Sequence, residues 1–188
     1  MTWLVLGILL WTCVHLLPSA GASLRTRAVE GLGPAYQGVF ALAILASVGL
    51  MVFGWRSTLP TAVYSAPAWG SAAANVLVFI ALLLFAASGM TTNIKRVIQH
   101  PQLTGVATWG AAHLLSNGDL RSLLLFGGLG LWAITSIVFI NRRDGAWERP
   151  EPQPIASEWK PLAAAIVGFA ILYFAHPYIA GVPATPHF

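Results

Sequence analysis

Long apolar segments alternate with short polar connections along this chain, and the pattern predicts six membrane-spanning helices. A helix needs about 20 mostly apolar residues to cross a bilayer, and the six segments near that length are residues 2–23, 36–55, 69–90, 102–117, 120–140 and 161–180. The fourth is the shortest, and its Gly, Ser and Thr content favours burial among other helices, because small residues allow close helix approach. We therefore predict an all-α, polytopic transmembrane bundle of about six helices that forms one domain over residues 1–188.

Composition supports a membrane protein. Hydrophobic residues make up 57% of the chain and charged residues 9%, whereas a soluble domain carries roughly a quarter charged residues. The net charge of +4 comes without a basic patch, so we expect a lipid bilayer rather than nucleic acid as the partner. The single cysteine, Cys13, excludes an intramolecular disulfide, and without a Cys-x-x-Cys motif there is no covalent haem attachment.

The basic residues predict an orientation. Lysine and arginine concentrate in cytoplasmic loops, and with the N-terminus outside, eight of the ten basic residues fall inside: Arg25, Arg27, Lys95, Arg96, Arg142, Arg143, Arg149 and Lys160. Arg56 and Arg121 then lie outside. The first apolar segment ends in a motif that resembles a signal-peptidase site, but no basic residue precedes Arg25, which favours a retained helix. We predict that both termini lie outside.

Two histidines lie within membrane-length segments, and each has a tryptophan one helical turn before it. The segments read Trp11-x3-His15-Leu-Leu and Trp109-x3-His113-Leu-Leu. An ionisable side chain at bilayer depth is costly and by default indicates a functional site. Imidazoles on separate helices are also common ligands of transition metals. The alternative is a neutral histidine that donates a hydrogen bond to a backbone carbonyl.

The depths of these two histidines are predicted to overlap. At a rise of about 1.5 Å per residue, His15 lies about 12 Å and His113 about 16 Å from the cytoplasmic face. Their helices run in opposite directions, which would let them face each other. The small residues Gly105, Gly110, Ala111 and Ala112 would leave room for a macrocycle beside His113.

The other histidines lie near segment ends. His100-Pro101 follows Lys95 and Arg96 at the predicted cytoplasmic boundary, where the imidazole either starts a helix or approaches a ligand. We expect His176 and His187 to be interfacial, with their roles left open. Asn117-Gly118-Asp119 is a turn signal whose polar groups either end the fourth helix or close the mouth of a pocket.

The run from His100 to Gly105, followed by Trp109-x3-His113-Leu-Leu-x-Asn117-Gly-Asp, resembles the signature of the NnrU family. Shorter matches are Trp11-x3-His15-x2-Pro-Ser and Gly33-x2-Tyr36-x3-Phe40, so the resemblance extends over nearly the whole chain. NnrU proteins are bacterial inner-membrane proteins linked to nitrite and nitric oxide metabolism. They are similar to the zeta-carotene isomerases, which hold haem b between membrane histidines.

The resemblance implies a multi-pass protein of the bacterial inner membrane that binds haem b. By position, the metal ligands would be His15 and His113, and the wider cofactor site would include Trp11, His100, Gly105, Trp109 and Asn117. The protein would be a haem-dependent cis-trans isomerase acting on an apolar polyene, or a component linked to nitrite or nitric oxide metabolism. Two alternatives stay open: a membrane methyltransferase that uses the His-Pro-x3-Gly turn, and a haem-free membrane scaffold.

Overall fold

The computed structural model describes residues 1–184, and seven α-helices account for most of this range. No β-strand occurs within it; a single isolated bridge joins Ala62 to Asp119. The helices are α1 (Thr2–Ala20), α2 (Ala22–Leu32), α3 (Tyr36–Arg56), α4 (Gly70–Ser88), α5 (Pro101–Ser116), α6 (Leu120–Asp144) and α7 (Trp159–Ala180).

The predicted all-α, polytopic helix bundle is confirmed. Five helical stretches are long and apolar enough to cross a bilayer, and α5, with 16 residues, is the sixth helix of the bundle. The unpredicted helix is α2, which contains Arg25, Arg27 and Glu30 and buries none of its residues. Its polarity hid it from a search for apolar segments, although its sequence is helical by local preference.

The six long helices pack in the order α3, α1, α6, α5, α4, α7. Helix α6 occupies the middle of this row and packs against both α1 and α5. Helices α1 and α6 run in the same direction, because Ile8 lies against Gly128, while Trp11 lies against Trp132. Apolar side chains such as Leu42, Leu45 and Phe174 point outward from the row, as expected for helices surrounded by lipid.

Glycines form the contact between α1 and α3. A Cβ on Gly54 would lie 2.2 Å from the backbone nitrogen of Leu4, and one on Gly7 would lie 2.7 Å from that of Met51. The backbones can approach this closely only because both side chains are absent. Leu4, Ile8 and Met51 form a buried apolar cluster beside this contact.

The glycines of α5 serve helix packing. A Cβ on Gly105 would lie 3.1 Å from the Ala81 carbonyl oxygen of α4, and one on Gly110 would lie 2.6 Å from the Phe126 carbonyl oxygen of α6. Ala112 is fully buried, whereas Ala111 is exposed. Beside Gly105, Gly110 and Ala112 the neighbouring helices occupy the space that was expected to hold a macrocycle, whereas Ala111 faces outward.

Hydrogen bonds define two ends of the bundle. At the first, which we call the N-terminal face, the Met1 ammonium donates to the Thr58 hydroxyl at 2.7 Å, and Tyr64 packs on the turn that joins α5 to α6. At the opposite end, the linker face, the Asn93 side chain pairs with the backbone of Gln153 in both directions, with both bonds at 2.9 Å. The residues between α6 and α7 are thereby held against those between α4 and α5.

Helix α6 contains one π-helical turn, Leu123–Gly127. Asp119 caps its start, since the carboxylate accepts hydrogen bonds from the backbone N–H and the hydroxyl of Ser122 at 3.1 and 2.6 Å. The wide turn lies where α5 approaches most closely, at the Phe126 carbonyl described above. Single π-turns of this kind interrupt helices frequently at functional sites.

Candidate functional site

His15 lies between three helices. Its Nδ1–H donates to the Trp11 carbonyl at 2.9 Å, and its ring stacks on the Trp11 indole with centroids 3.9 Å apart. Trp132 of α6 presents a perpendicular contact at 5.1 Å, and Phe40 of α3 lies at 6.2 Å. Because the backbone carbonyl fixes Nδ1 as the protonated nitrogen, Nε2 keeps the lone pair that a metal would need.

Unpartnered polar atoms concentrate around His15. In residues 1–184, five buried side-chain nitrogens and oxygens have no hydrogen-bond partner. Four of them lie on α1, α3 and α6 at or near the contacts of His15: Trp11 Nε1, Tyr36 Oη, Trp132 Nε1 and Ser136 Oγ. Trp132 is 8% exposed and Ser136 4% exposed. A buried donor without an acceptor costs about 1–3 kcal/mol, so four in one region indicate that a ligand or water belongs there.

His113 has the same local setting in a different part of the bundle. Its Nδ1–H donates to the Trp109 carbonyl at 2.9 Å, and its ring stacks on Phe126 at 4.3 Å. Trp109 lies 4.7 Å from the imidazole. The repeated Trp-x3-His pattern thus has a geometric meaning, because the carbonyl one turn earlier in a helix is the one within reach of Nδ1.

The structure does not bring His15 and His113 together. His15 contacts Trp132 and His113 contacts Phe126, and these two side chains are six residues apart on α6, which corresponds to about 9 Å along a helix. Helix α6 lies between α1 and α5 in the row, so the expected direct approach of the two histidine helices is not among the principal helix contacts of residues 1–184. The antiparallel direction of α1 and α5 agrees with the expectation, but their histidines lie at different depths.

His100 occupies a third position, at the linker face. Its Nε2 hydrogen-bonds the Asn141 side-chain oxygen at 2.7 Å, and the residue itself directly precedes α5. Beside it is a cavity of about 390 Å³, which is lined by Ser88, Lys95, Gln99, His100, Pro101, Gln102 and Leu103. The hydrogen bond to Asn141 attaches His100 to α6, and His100 is not among the side chains of residues 1–184 that contact the His15 ring.

The remaining predicted residues have structural contacts. The side-chain amide of Asn117 donates to the His113 carbonyl at 2.9 Å and so caps the end of α5. The Tyr64 hydroxyl contacts the carbonyls of Leu114 and Asn117. Burial and the nearby negative charge of Asp119 raise the pKa of the Tyr64 phenol, which keeps this side chain a hydrogen-bond donor. Of the two open alternatives for this turn, helix termination is the one observed.

The two remaining histidines are His176 and His187. His176, near the end of α7, donates from Nδ1 to the Val182 carbonyl at 2.6 Å, as expected for an interfacial side chain. His187 lies outside the described residues. Within residues 1–184, no three His, Cys, Asp or Glu side chains are arranged to hold a metal ion.

Sequence reasoning missed the α6 side of the site. Trp132 and Ser136 were not singled out, although a serine one turn after a tryptophan inside an apolar span is an unusual pair. A polar side chain at that depth normally faces the bundle interior, and this signal would have found Ser136. Tyr36 appeared only as part of the family resemblance.

Comparisons with known proteins identify the family. The family model described as NnrU protein matches residues 3–184, which is nearly the whole chain. No curated protein and no solved structure matches the chain. With the match covering every helix described above, the chain belongs to the NnrU family.

Proposed function

We propose that this NnrU-family protein binds haem b within the membrane, with His15 as an axial ligand. The observation that carries the proposal is the arrangement around His15: an imidazole whose Nδ1 is held by a backbone carbonyl, with the unpartnered donors of Trp11 and Trp132 beside it. In haem sites of proteins, a hydrogen bond from the other ring nitrogen to a backbone carbonyl fixes the tautomer of the ligating histidine.

The side chains around His15 fit such a group in their chemistry. Trp11 and Trp132 offer flat aromatic surfaces on two sides of the imidazole, and the buried donors lack acceptors. A porphyrin supplies an apolar aromatic face that would pack on these rings, together with carboxylate acceptors for the donors that lack a partner among the described residues. Trp11 would orient the imidazole through its carbonyl, and Trp132 would keep water away from Nε2.

His113 is the second candidate ligand, from the family resemblance and from its matching hydrogen bond to Trp109. Axial nitrogens on one iron lie about 4 Å apart, at iron–nitrogen distances near 2 Å. Ligation by both histidines therefore requires α1 and α5 to shift along α6, whereas ligation by His15 alone does not. Bis-histidine ligation stays a prediction from the sequence. We leave His100 out of the proposed site.

When bound, a b-type haem supplies an iron that binds small ligands such as nitric oxide, interacts with the electrons of an apolar polyene, or transfers electrons. The family resemblance favours either isomerase-like chemistry or a role in nitrite and nitric oxide metabolism, in the bacterial inner membrane. In either of these two roles, the surrounding side chains would hold the His15 imidazole in place and exclude water from it.

The test is an absorption spectrum of the protein purified in detergent, with haem measured per polypeptide. We expect a Soret band with reducible α and β bands, and at least tenfold less haem in His15→Ala. His176→Ala is the matched control, since this histidine lies at the end of α7, and it should retain the full haem content.

The spectrum also decides between one and two histidine ligands. Ligation by His15 alone predicts a high-spin spectrum and little loss of haem in His113→Ala. Ligation by both predicts a low-spin spectrum and loss of haem in each variant. A colourless wild-type protein that also fails to bind added haem would refute the proposed function.

A further inference from the structure

We propose that the hydroxyls of Tyr36 and Ser136, together with the guanidinium of Arg25, bind the propionate carboxylates of the haem. This inference rests on the proposed function and adds the part of the site that recognises the charged edge of the cofactor. The starting observation is that both hydroxyl oxygens are buried and neither has a hydrogen-bond partner among the described residues.

The two hydroxyls occupy equivalent positions on different helices. Phe40 and Trp132 are the contacts of His15 on α3 and α6. Tyr36 lies four residues before Phe40, and Ser136 lies four residues after Trp132, so each is one turn, about 6 Å, nearer the linker face. Helices α3 and α6 run in opposite directions. Four residues before Phe40 on α3 and four residues after Trp132 on α6 therefore both lie nearer the linker face.

Positive charge lies at this end. The Arg25 guanidinium is 6.0 Å from the centroid of the Tyr36 ring, and Arg143 donates to the Pro18 carbonyl at 3.2 Å, at the end of α1. No acidic side chain accepts a hydrogen bond from Tyr36 or Ser136. The nearest ion pair on the described chain, Arg143 with Asp144, is exposed. Two buried hydroxyl donors, of which Tyr36 lies beside an arginine, therefore lack a carboxylate partner within residues 1–184.

Unpartnered hydroxyl groups favour a carboxylate as the ligand. A hydroxyl donates one hydrogen bond, and a carboxylate accepts several, with charge-assisted bonds about twice as strong as neutral ones. A haem held by His15, five residues before the end of α1, would meet these hydroxyls with its carboxylates if its carboxylate edge faced the linker face. There the ends of α1 and α6 and the start of α3 meet the polar boundary of the membrane.

The experiment compares haem with haem dimethyl ester, in which both propionates are esterified. Each is titrated into haem-free protein in detergent, and binding is followed at the Soret band. For the wild type we expect haem to bind at least tenfold more tightly than the ester. For the Tyr36→Phe/Ser136→Ala double variant, we expect haem affinity to fall at least tenfold and ester affinity to stay unchanged, so that the two ligands bind alike.

A second readout separates ligand binding from a structural role. Both substitutions remove an unpartnered buried polar atom, so the thermal midpoint of the haem-free double variant should equal or exceed that of the wild type. A residue that merely supported the fold would lower it. Tyr173→Phe/Ser88→Ala is the matched control, because it removes the same groups elsewhere and the Ser88 hydroxyl already donates to the Phe85 carbonyl at 2.6 Å.

Two results would overturn the inference while leaving haem binding intact: equal affinities of haem and ester for the wild type, or unchanged haem affinity in the double variant. Failure of the wild type to bind either compound would instead remove the proposed function, and the inference with it.

Discussion

At the scale of single residues, the Trp-x3-His repeat forms the same local hydrogen bond in two different environments. In both copies the tryptophan carbonyl accepts from Nδ1 and the indole contacts the imidazole. What differs is the partner on α6: Trp132, with an unpartnered indole nitrogen, beside His15, and the apolar Phe126 beside His113. The same short motif therefore lies in one region with unpartnered polar atoms and in one region that is apolar.

The glycine contact between α1 and α3 yields a residue-scale prediction. Gly54→Ala should lower the free energy of unfolding by about 1–3 kcal/mol, because the new Cβ would overlap the Leu4 backbone and force the helices apart. Thermal unfolding in detergent measures the effect.

Gly49→Ala is the control on the same helix. A Cβ there meets no atom within 4 Å, so the change should be neutral or should stabilise α3 by up to about 1 kcal/mol through helix propensity. Equal destabilisation by the two substitutions would contradict the glycine contact.

The sequence placed His15 and His113 within apolar segments, but it did not show which helices they contact. A histidine within an apolar segment can be recognised from the sequence alone. In the structure, both His15 and His113 contact side chains of the neighbouring helix α6. The helix that each histidine contacts depends on how the helices pack. Gly105 and Gly110 show why the sequence did not predict this packing. A small residue leaves space only if no neighbouring backbone fills it, and here α4 and α6 do so.

At the scale of elements, the segment between α6 and α7 is held to the bundle by Glu158. Its carboxylate accepts from the Thr92 hydroxyl, from the backbone N–H of Asn93 at 2.7 Å and from the Asn93 amide at 3.1 Å. The Arg96 guanidinium adds a bond to the Pro150 carbonyl at 3.0 Å. The segment between α6 and α7 is therefore docked on the bundle.

Glu158→Gln should loosen this segment, because the amide nitrogen that replaces one carboxylate oxygen cannot accept a hydrogen bond. We expect chymotryptic cleavage after Trp147, which lies in this segment, to become several-fold faster in detergent, with the helices left intact. Glu151→Gln, at an exposed position whose side chain makes no hydrogen bond in the described chain, is the control and should cleave at the wild-type rate.

The boundaries of the apolar elements could be predicted because length and hydropathy determine them. Helix α3 extends one residue beyond the predicted segment 36–55, and α4 lies one residue inside 69–90 at its start. Helix α2 and the π-turn of α6 could not be predicted in this way. Helix α2 is polar, so hydropathy does not detect it. The π-turn accommodates one extra backbone position where α6 packs against Gly110, and this packing is known only from the structure.

At the scale of the whole molecule, the two faces differ in charge. Eight basic residues lie on the segments and helix ends of the linker face, while Arg56 and Arg121 lie at the N-terminal face. By the positive-inside rule the linker face is cytoplasmic, and this orientation stays a prediction.

Single cysteines on a Cys13→Ser background test the orientation. Leu59, 85% exposed at the N-terminal face, and Ile155, 89% exposed at the linker face, are suitable positions. A membrane-impermeant maleimide added to intact cells should label Leu59→Cys and should reach Ile155→Cys only after permeabilisation. The reverse pattern would invert the orientation, and labelling of both in intact cells would contradict the six-helix crossing.

The central place of α6 has a consequence for the order of assembly. The pairs α1–α3 and α4–α5 each have their own close backbone contact and leave the ribosome before α6 does. Trp132 and Ser136, however, are contributed by α6. Any ligand that depends on them is acquired only after five of the six crossing helices have been synthesised, so loading of the site is a late step in biogenesis.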